Sequence, residues 1–251
     1  LFAIGFYVSG IISQQAPTWR YTLSGTAGTL LYAAAFDDTF ADEWEQAQGR
    51  ESAELIDGAL RVSIGMDGDG VFAPALPNFT DFDVSVDALP LEGPIDNGFG
   101  VLFRLQDPAN YYAFFISSDG YYKVERVVDG VARDISTWIP SDALRVVDDT
   151  NGSFTVEADE AQPNTLRVVA RGDTFRFYVN GTPLELCIPN APDGMSTYAA
   201  GACLEGTMRA ELTDASHPSG RIALGAVTTA MGGAGVVVAF DNLLVYAPSD
   251  E

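Results

Sequence analysis

Strict alternation of apolar and polar residues constrains this chain more than any other feature. From Asp81 to Ala88, the side chains of Phe82, Val84, Val86 and Ala88 fall on one side of an extended backbone, and Asp81, Asp83, Ser85 and Asp87 on the other. Such a segment is a strand with one face buried and one face wet. The same period returns in Leu166, Val168 and Ala170 against Arg167 and Arg171, and in Phe175, Phe177 and Val179 against Arg176 and Tyr178. Gly172-Asp173 between these two runs and Asn180-Gly181 after them supply the residues that tight hairpin turns require. Phe99 to Leu105 and Tyr111 to Ile116 are apolar almost throughout, as central strands covered on both sides would be. No stretch sustains a helical period, and no repeat recurs at the roughly 20–50 residues of a propeller or solenoid.

At 251 residues, 47% of them hydrophobic, the chain has material for one large β domain. Its 35 acidic against 13 basic residues give a formal charge of −22, which repels nucleic acid and anionic lipid. Two cysteines and one histidine, His217, leave too few ligands for most transition-metal sites. Cys187 and Cys203 flank a stretch with Pro189, Pro192, Gly194 and Gly201 that has the composition of a long loop. A disulfide across it is expected, and with it an oxidising compartment, two free buried thiols being the alternative.

The chain opens on LFAIGFYVSGII and carries no charge before Arg20. A membrane-spanning helix needs about 20 apolar residues. The opening segment is therefore expected to be part of an anchor, an element docking on another subunit, or the remnant of a secretory signal. Either leading reading sets the protein outside the cytoplasm, with residues 1–13 facing a membrane or the subunits of a membrane complex. Residues 14–29 have the composition of a linker, a sandwich follows over 30–247, and 248–251 form a tail.

The motifs in that sandwich come in a recognisable order. They are FDDTFADEW from Phe36, DGALRV from Asp57, GFGVLFRLQDPANYYAFFIS from Gly98 and GYYKVERVVDG from Gly120. NTLRVVARGDTFRFYVNGTPL from Asn164 follows, and then the closing GRIALGAV from Gly220 and FDNLLVY from Phe240. In this order they resemble the concanavalin A-like lectin and glucanase superfamily, in its laminin G or 3-keto-disaccharide hydrolase branch. The resemblance implies an all-β fold, an antiparallel two-sheet jelly-roll sandwich. Residues 187–218 depart from it as an insertion.

The glucanase branch carries its catalytic acids as E-x-D-x-E or E-x-D-x-x-E on one strand, and glycoside cleavage in general needs a carboxylate pair across the bond. The nearest string here, Glu157, Asp159, Glu160, continues into Ala161 and Gln162 and breaks the pattern, so no catalytic residue is assigned. His217, followed by Pro218, is expected in a polar surface turn. Domains of this type often hold a structural calcium near the first and last strands, and Asp37, Asp38 and Asp241 are the oxygens on offer; capping of strand ends is the competing role. Asp67-Gly68-Asp69-Gly70 lacks the glutamate of a calcium loop and is expected as a turn. Tyr111, Tyr112, Tyr121, Tyr122 and Trp138 are the aromatic candidates for stacking on sugar rings, with Arg104 and Asn110 adding polar contacts. Against that stands the alternation of a strand, which sends adjacent tyrosines to opposite faces. The function expected is a non-catalytic extracytoplasmic module binding glycan or protein. An accessory subunit of a membrane complex or filament, and a sugar-active hydrolase, are the alternatives.

Overall fold

A computed structural model describes residues 21–37, 42–65, 69–148, 152–158, 161–191, 194–228 and 235–249. The segment 1–13, Asp38, the Asp67-Gly68 pair, Asp159 and Glu160 lie outside the described residues. The strands run in chain order as β1 (Thr22–Leu23), β2 (Leu30–Ala34), β3 (Glu51–Ile56), β4 (Ala59–Ile64), β5 (Gly70–Phe79), β6 (Phe82–Pro94) and β7 (Asn97–Asp107). They continue as β8 (Asn110–Ile116), β9 (Tyr121–Val128), β10 (Val131–Pro140), β11 (Ser153–Thr155), β12 (Asn164–Arg171), β13 (Thr174–Val179) and β14 (Thr182–Pro183). The last are β15 (Leu186–Pro189), β16 (Thr197–Ala199), β17 (Ala202–Leu204), β18 (Gly206–Arg209), β19 (Leu212–Thr213), β20 (Gly220–Thr228) and β21 (Val236–Tyr246). Among the described residues no helix is long and apolar enough to cross a membrane.

Two sheets form the sandwich. One has seven strands in the order β1-β5-β20-β7-β8-β9-β10. The other has ten: β14-β13-β12-β6-β21-β4-β3 along its main path, with β11 on β6, β19 on β13 and β2 on β21. All pairings between these strands are antiparallel except that of β1 with β5. The stretch expected as a linker therefore contributes an edge strand to the seven-stranded sheet.

The alternation read from the sequence sets the layers. Phe82, Val84, Val86 and Ala88 of β6 are fully buried between the sheets, facing residues such as Val101 and Phe103 of β7 and Phe114 of β8. Fully burying one such aliphatic or aromatic side chain contributes ~1.5–3 kcal/mol before the cost of ordering it. A second cluster, with Leu102, Leu105, Tyr111, Ala113 and Phe115, lies on the other face of the seven-stranded sheet. That is why the runs in β7 and β8 are continuously apolar. The hairpin turns also fall where the sequence puts them. Gly172 joins β12 to β13 at φ +54, and Asn180 (φ 50) with Gly181 (φ 79) joins β13 to β14 with the two left-handed residues of a type I′ turn.

The insertion is not a bare loop. β15 pairs with β18 and, inside that ribbon, β16 pairs with β17. A disulfide joins Cys187 on β15 to Cys203 on β17, linking outer ribbon to inner. Reducing it is expected to lower the unfolding free energy by about 3 kcal/mol in the chain-entropy model for a loop of this size. Denaturant melts with and without reductant check this, and superimposable curves would show that the cross-link adds nothing.

Candidate functional site

β12 and β13 are a hairpin on the ten-stranded sheet, and their register decides what stands on its outer face. Arg167 is opposite Tyr178, Val169 opposite Arg176, and Arg171 opposite Thr174. The partner residues of all three pairs share a face, because even-numbered Leu166, Val168 and Ala170 have already gone to the core. β6 adds Asp83, paired in register with Val169, and the chain passes back over the rim at Ser249. Together these residues line a cleft of about 250 Å³: Asp83, Arg167, Val169, Arg171, Thr174, Arg176, Tyr178 and Ser249.

The cleft is held by fixed polar geometry. Arg167 donates from Nε and Nη2 to the two oxygens of Asp83, both at 2.7 Å, while its guanidinium lies 4.8 Å from the centre of the Tyr178 ring. This fork-to-carboxylate contact fixes both groups in one plane. Arg176 donates from Nε to Glu211 at 2.6 Å, and that carboxylate holds the guanidinium proton more tightly than usual. Arg171 donates to the carbonyl of Ser249. The signal for this site was already in the alternation of the hairpin. What the sequence does not show is that Asp83, more than 80 positions earlier, completes it.

The residues expected to form an aromatic platform are divided between the two faces of the seven-stranded sheet. Tyr112 is fully buried between the sheets, stacked on Phe103 at 5.2 Å, and so is unable to contact a ligand from outside. Tyr122 is also on the inner face, donating to the carbonyl of Glu185 at 2.6 Å. Tyr111 is buried on the opposite face of the sheet against Phe72. Trp138 packs against that second cluster with Lys123 Nζ 5.5 Å from its ring, and Tyr121 is exposed at the start of β9. Asn110 serves a turn: it donates to Asp107 at 3.0 Å and accepts from the backbone of Asp129 at 3.1 Å. Alternation has split the tyrosines, as the competing reading held.

Arg104 also departs from expectation. It sits in a β-bulge at φ 49, so Phe103 and Arg104 both turn inward, and its side chain is 1% exposed. Its guanidinium donates to the carbonyls of His217 and Thr80, each at 2.9 Å, and of Gly172 at 2.5 Å, and it lies 4.7 Å from the centre of the Phe175 ring. It holds loops together rather than facing a ligand. His217 is not in a surface turn either. It is 2% exposed, its ring against Tyr112 and its Nε2 2.8 Å from the carbonyl of Val127.

Beside it, Tyr112 donates to Asp214 at 2.6 Å and Arg126 donates to the same carboxylate at 2.5 Å. Burial pushes the Asp214 carboxyl upward, but hydrogen bonds from Tyr112 and Ser216 and the Arg126 charge outweigh it, so the group stays below the usual carboxylate range. Burial, reinforced by the Asp214 carboxylate, raises the phenol of Tyr112 well above its ordinary value.

Asp37 is exposed in a bend after β2, and Asp241 is half-buried in β21 with its carboxyl raised by burial and by neighbouring Asp87. Among the described residues no group of three or more His, Cys, Asp or Glu stands together as ion ligands. Glu157 is exposed in a loop after β11.

No protein-family model matches the chain, and no curated protein is similar to it in sequence. Solved structures share its fold. A Bacillus subtilis protein of galectin-like fold superposes with a TM-score of 0.57 at 14% identity, over 90% of this chain and 99% of that one. The carbohydrate-binding module CBM66 of Bacillus subtilis superposes with a TM-score of 0.51 at 15% identity, over 81% and 95%. A prokaryotic β-1,3-1,4-glucanase from a mouse hindgut metagenome does so at 0.50 and 11%, over 88% and 99%. The chain thus shares the jelly-roll sandwich fold of these proteins.

The depressed Asp214 carboxyl fixes the sign of a pH effect. Its stabilisation is complete above the unfolded value near 4 and is lost as pH falls through the lower folded value. Asp214→Asn is expected to cost about 1–3 kcal/mol at pH 7, since it weakens a hydrogen bond and an ion pair at a mostly buried site. The gap to the wild type should close as pH falls from 4 towards 2. Thermal melts of both proteins across that window test it, and a gap independent of pH would remove Asp214 from the acid response.

Truncating Arg104 has a larger effect. Arg104→Met is expected to destabilise by about 3 kcal/mol or more, because three carbonyls lose their donor at once. Urea denaturation reads this directly, and a loss within 0.5 kcal/mol, the usual span of a surface substitution, would deny the residue its role.

Proposed function

We propose that this concanavalin A-like sandwich is a non-catalytic, extracytoplasmic module that binds glycan in the cleft on the outer face of its ten-stranded sheet. The observation that carries the reading is the Asp83–Arg167–Tyr178 group, a half-buried set of planar polar side chains lining the cleft and already locked in place. Sugar hydroxyls come in adjacent pairs, and carboxylate and guanidinium groups match such pairs with two parallel hydrogen bonds. Because Asp83 and Arg167 are ordered before binding, little side-chain entropy is left to lose. Similar folds among solved proteins include a carbohydrate-binding module, which supports the same class.

Two features favour binding over hydrolysis. Among the described residues that line the cleft Asp83 is the one acid, and cleavage needs a second carboxylate about 5–9 Å away. Both its oxygens also accept from Arg167, an arrangement that suits holding rather than proton transfer. The disulfide in the insertion suits an oxidising environment outside the cytoplasm. The uncharged opening segment 1–13 is the part of the chain suited to tether the module to a membrane or a larger assembly.

The test is a glycan array with the wild type and Thr174→Trp, which fills the cleft from β13 without removing a charge. Binding to at least one glycan class is expected, with a loss of about tenfold or more, some 1.4 kcal/mol, in the blocked variant. Unchanged affinity in a variant with wild-type melting would move the site elsewhere. Silence of the wild type across the array would reject glycan binding.

A further inference from the structure

Three stretches of the chain read Asn-x-Ser/Thr with no proline at the middle position: Asn78-Phe79-Thr80, Asn151-Gly152-Ser153 and Asn180-Gly181-Thr182. Such a triplet is the acceptor pattern for an N-linked oligosaccharide in a chain that passes through an oxidising secretory compartment. The Cys187–Cys203 disulfide suits that passage. The pattern alone does not rank the triplets, but the folded surroundings of each asparagine do. Asn151 lies outside the described residues. From the other two, we infer that Asn78 is an acceptor whose glycan the folded protein carries, and that Asn180 is closed to one.

Asn78 sits on β5 with its side chain turned away from the core. Its successor Phe79 is fully buried between the sheets, and successive side chains of a strand point to opposite faces. Thr22 of β1, paired with Asn78 in register, is exposed, and so is Thr80. The backbone N–H of Asn78 donates to the carbonyl of Tyr21 at 2.8 Å, but among the described residues its side-chain amide has no hydrogen-bond partner. A sugar on Nδ2 therefore breaks no contact of the fold. Asn78 is also on the seven-stranded sheet while the cleft is on the ten-stranded one, so the glycan leaves the cleft open and the site is independent of what the cleft binds.

Asn180 is the opposite case. An asparagine amide has two N–H donors and one carbonyl oxygen, and all of them are in use here. Nδ2 donates to the carbonyl of Ala143 and to Asn164 Oδ1, both at 2.8 Å. Oδ1 accepts from the Thr165 N–H at 2.9 Å and from Arg145 Nη1 at 2.7 Å. A sugar on Nδ2 replaces one of those two hydrogens and leaves a part-buried acceptor without its donor. It also needs room where Ala143 and Asn164 stand. A chain modified there is at a disadvantage in folding, whereas one modified at Asn78 is not.

Transfer to Asn78 precedes the folding of β5, because an enzyme that reads all three residues cannot reach Phe79 in the core. The donor is an oligosaccharide linked to a lipid diphosphate. Asn78 Nδ2 bonds to the anomeric carbon as the bond from that carbon to the diphosphate oxygen breaks. The lipid diphosphate leaves with the bonding pair, and one amide proton is given up to solvent.

Peptide mapping of the whole chain, secreted from a host that carries out this transfer, tests the assignment. The folded, disulfide-bonded fraction is treated with a glycan-releasing amidase in heavy-oxygen water, which turns each modified asparagine into a labelled aspartate. Label is expected at Asn78 in most molecules and none at Asn180, with the host's own secreted glycoproteins, labelled in the same digest, showing that transfer ran. Thr80→Ala removes the hydroxyl of the triplet but keeps the carbonyl that receives Arg104, so label at Asn78 should vanish while melting stays unchanged. An unlabelled Asn78 in the wild type overturns the assignment. Label that survives Thr80→Ala reports spontaneous deamidation and overturns it as well. Label at Asn180 as high as at Asn78 in the folded fraction overturns the exclusion of Asn180.

Discussion

One guanidinium closes the end of the sandwich. Arg104 reaches the turn between β5 and β6 through Thr80, the turn between β12 and β13 through Gly172, and the end of the insertion through His217. These three points belong to both sheets and to the excursion between them. Hydrogen bonds to a charged donor are worth more than neutral ones, and the site is almost closed to water. Burial lowers the affinity of Arg104 for its proton, although Tyr112, Asp81 and Asp173 act the other way. The bulge that aims it depends on a second residue. A Cβ at Gly220 would stand 2.3 Å from the Arg104 carbonyl carbon, so only glycine lets β20 pass that close. The cleft depends on the same arrangement, because Gly172 is the turn between the two strands that carry its arginines.

Much of this architecture is legible in the chain itself. Period-two alternation in Asp81–Ala88 and across the β12–β13 hairpin assigns faces correctly, since each odd or even set goes wholly inward. Asn180-Gly181 gives its turn because so few residue pairs accept two positive φ angles in succession. Alternation fails at Arg104 for a physical reason. A bulge inserts one residue, the pattern slips, and a charged side chain turns inward where period two gives no warning of it. His217 is misplaced for a related cause, because its burial comes from Tyr112 and Val127, both about 90 or more positions away. A polar string flanked by proline looks like a surface turn until those partners arrive. The cleft is half legible: one hairpin supplies its arginines, and only sheet order supplies Asp83.

The acidic composition and the cleft belong to one picture. Carboxylates spread over the surface keep the protein soluble and repel other anions, and three arginines stand among the described residues that line the cleft. Arginine suits that cleft better than lysine would, since its planar fork imposes direction as well as charge, as in the Arg167–Asp83 pair. The chain has one lysine, Lys123, and it is engaged with Glu125 and Asp134 above Trp138 on the opposite sheet.

The insertion has a consequence beyond its own stability. β10 is the last strand of the seven-stranded sheet, and an open last strand is a template on which a second chain can add. Here β10 is broken by irregularities around Ser136, and the insertion lies against it: Cys187 N–H donates to Ser136 Oγ at 3.0 Å and Tyr198 N–H to Thr137 Oγ1 at 3.2 Å. The ribbons meet the strand through its side chains, not by continuing its ladder. The insertion thus acts as a guard against runaway strand addition, and the Cys187–Cys203 cross-link ties the two ribbons of that guard together.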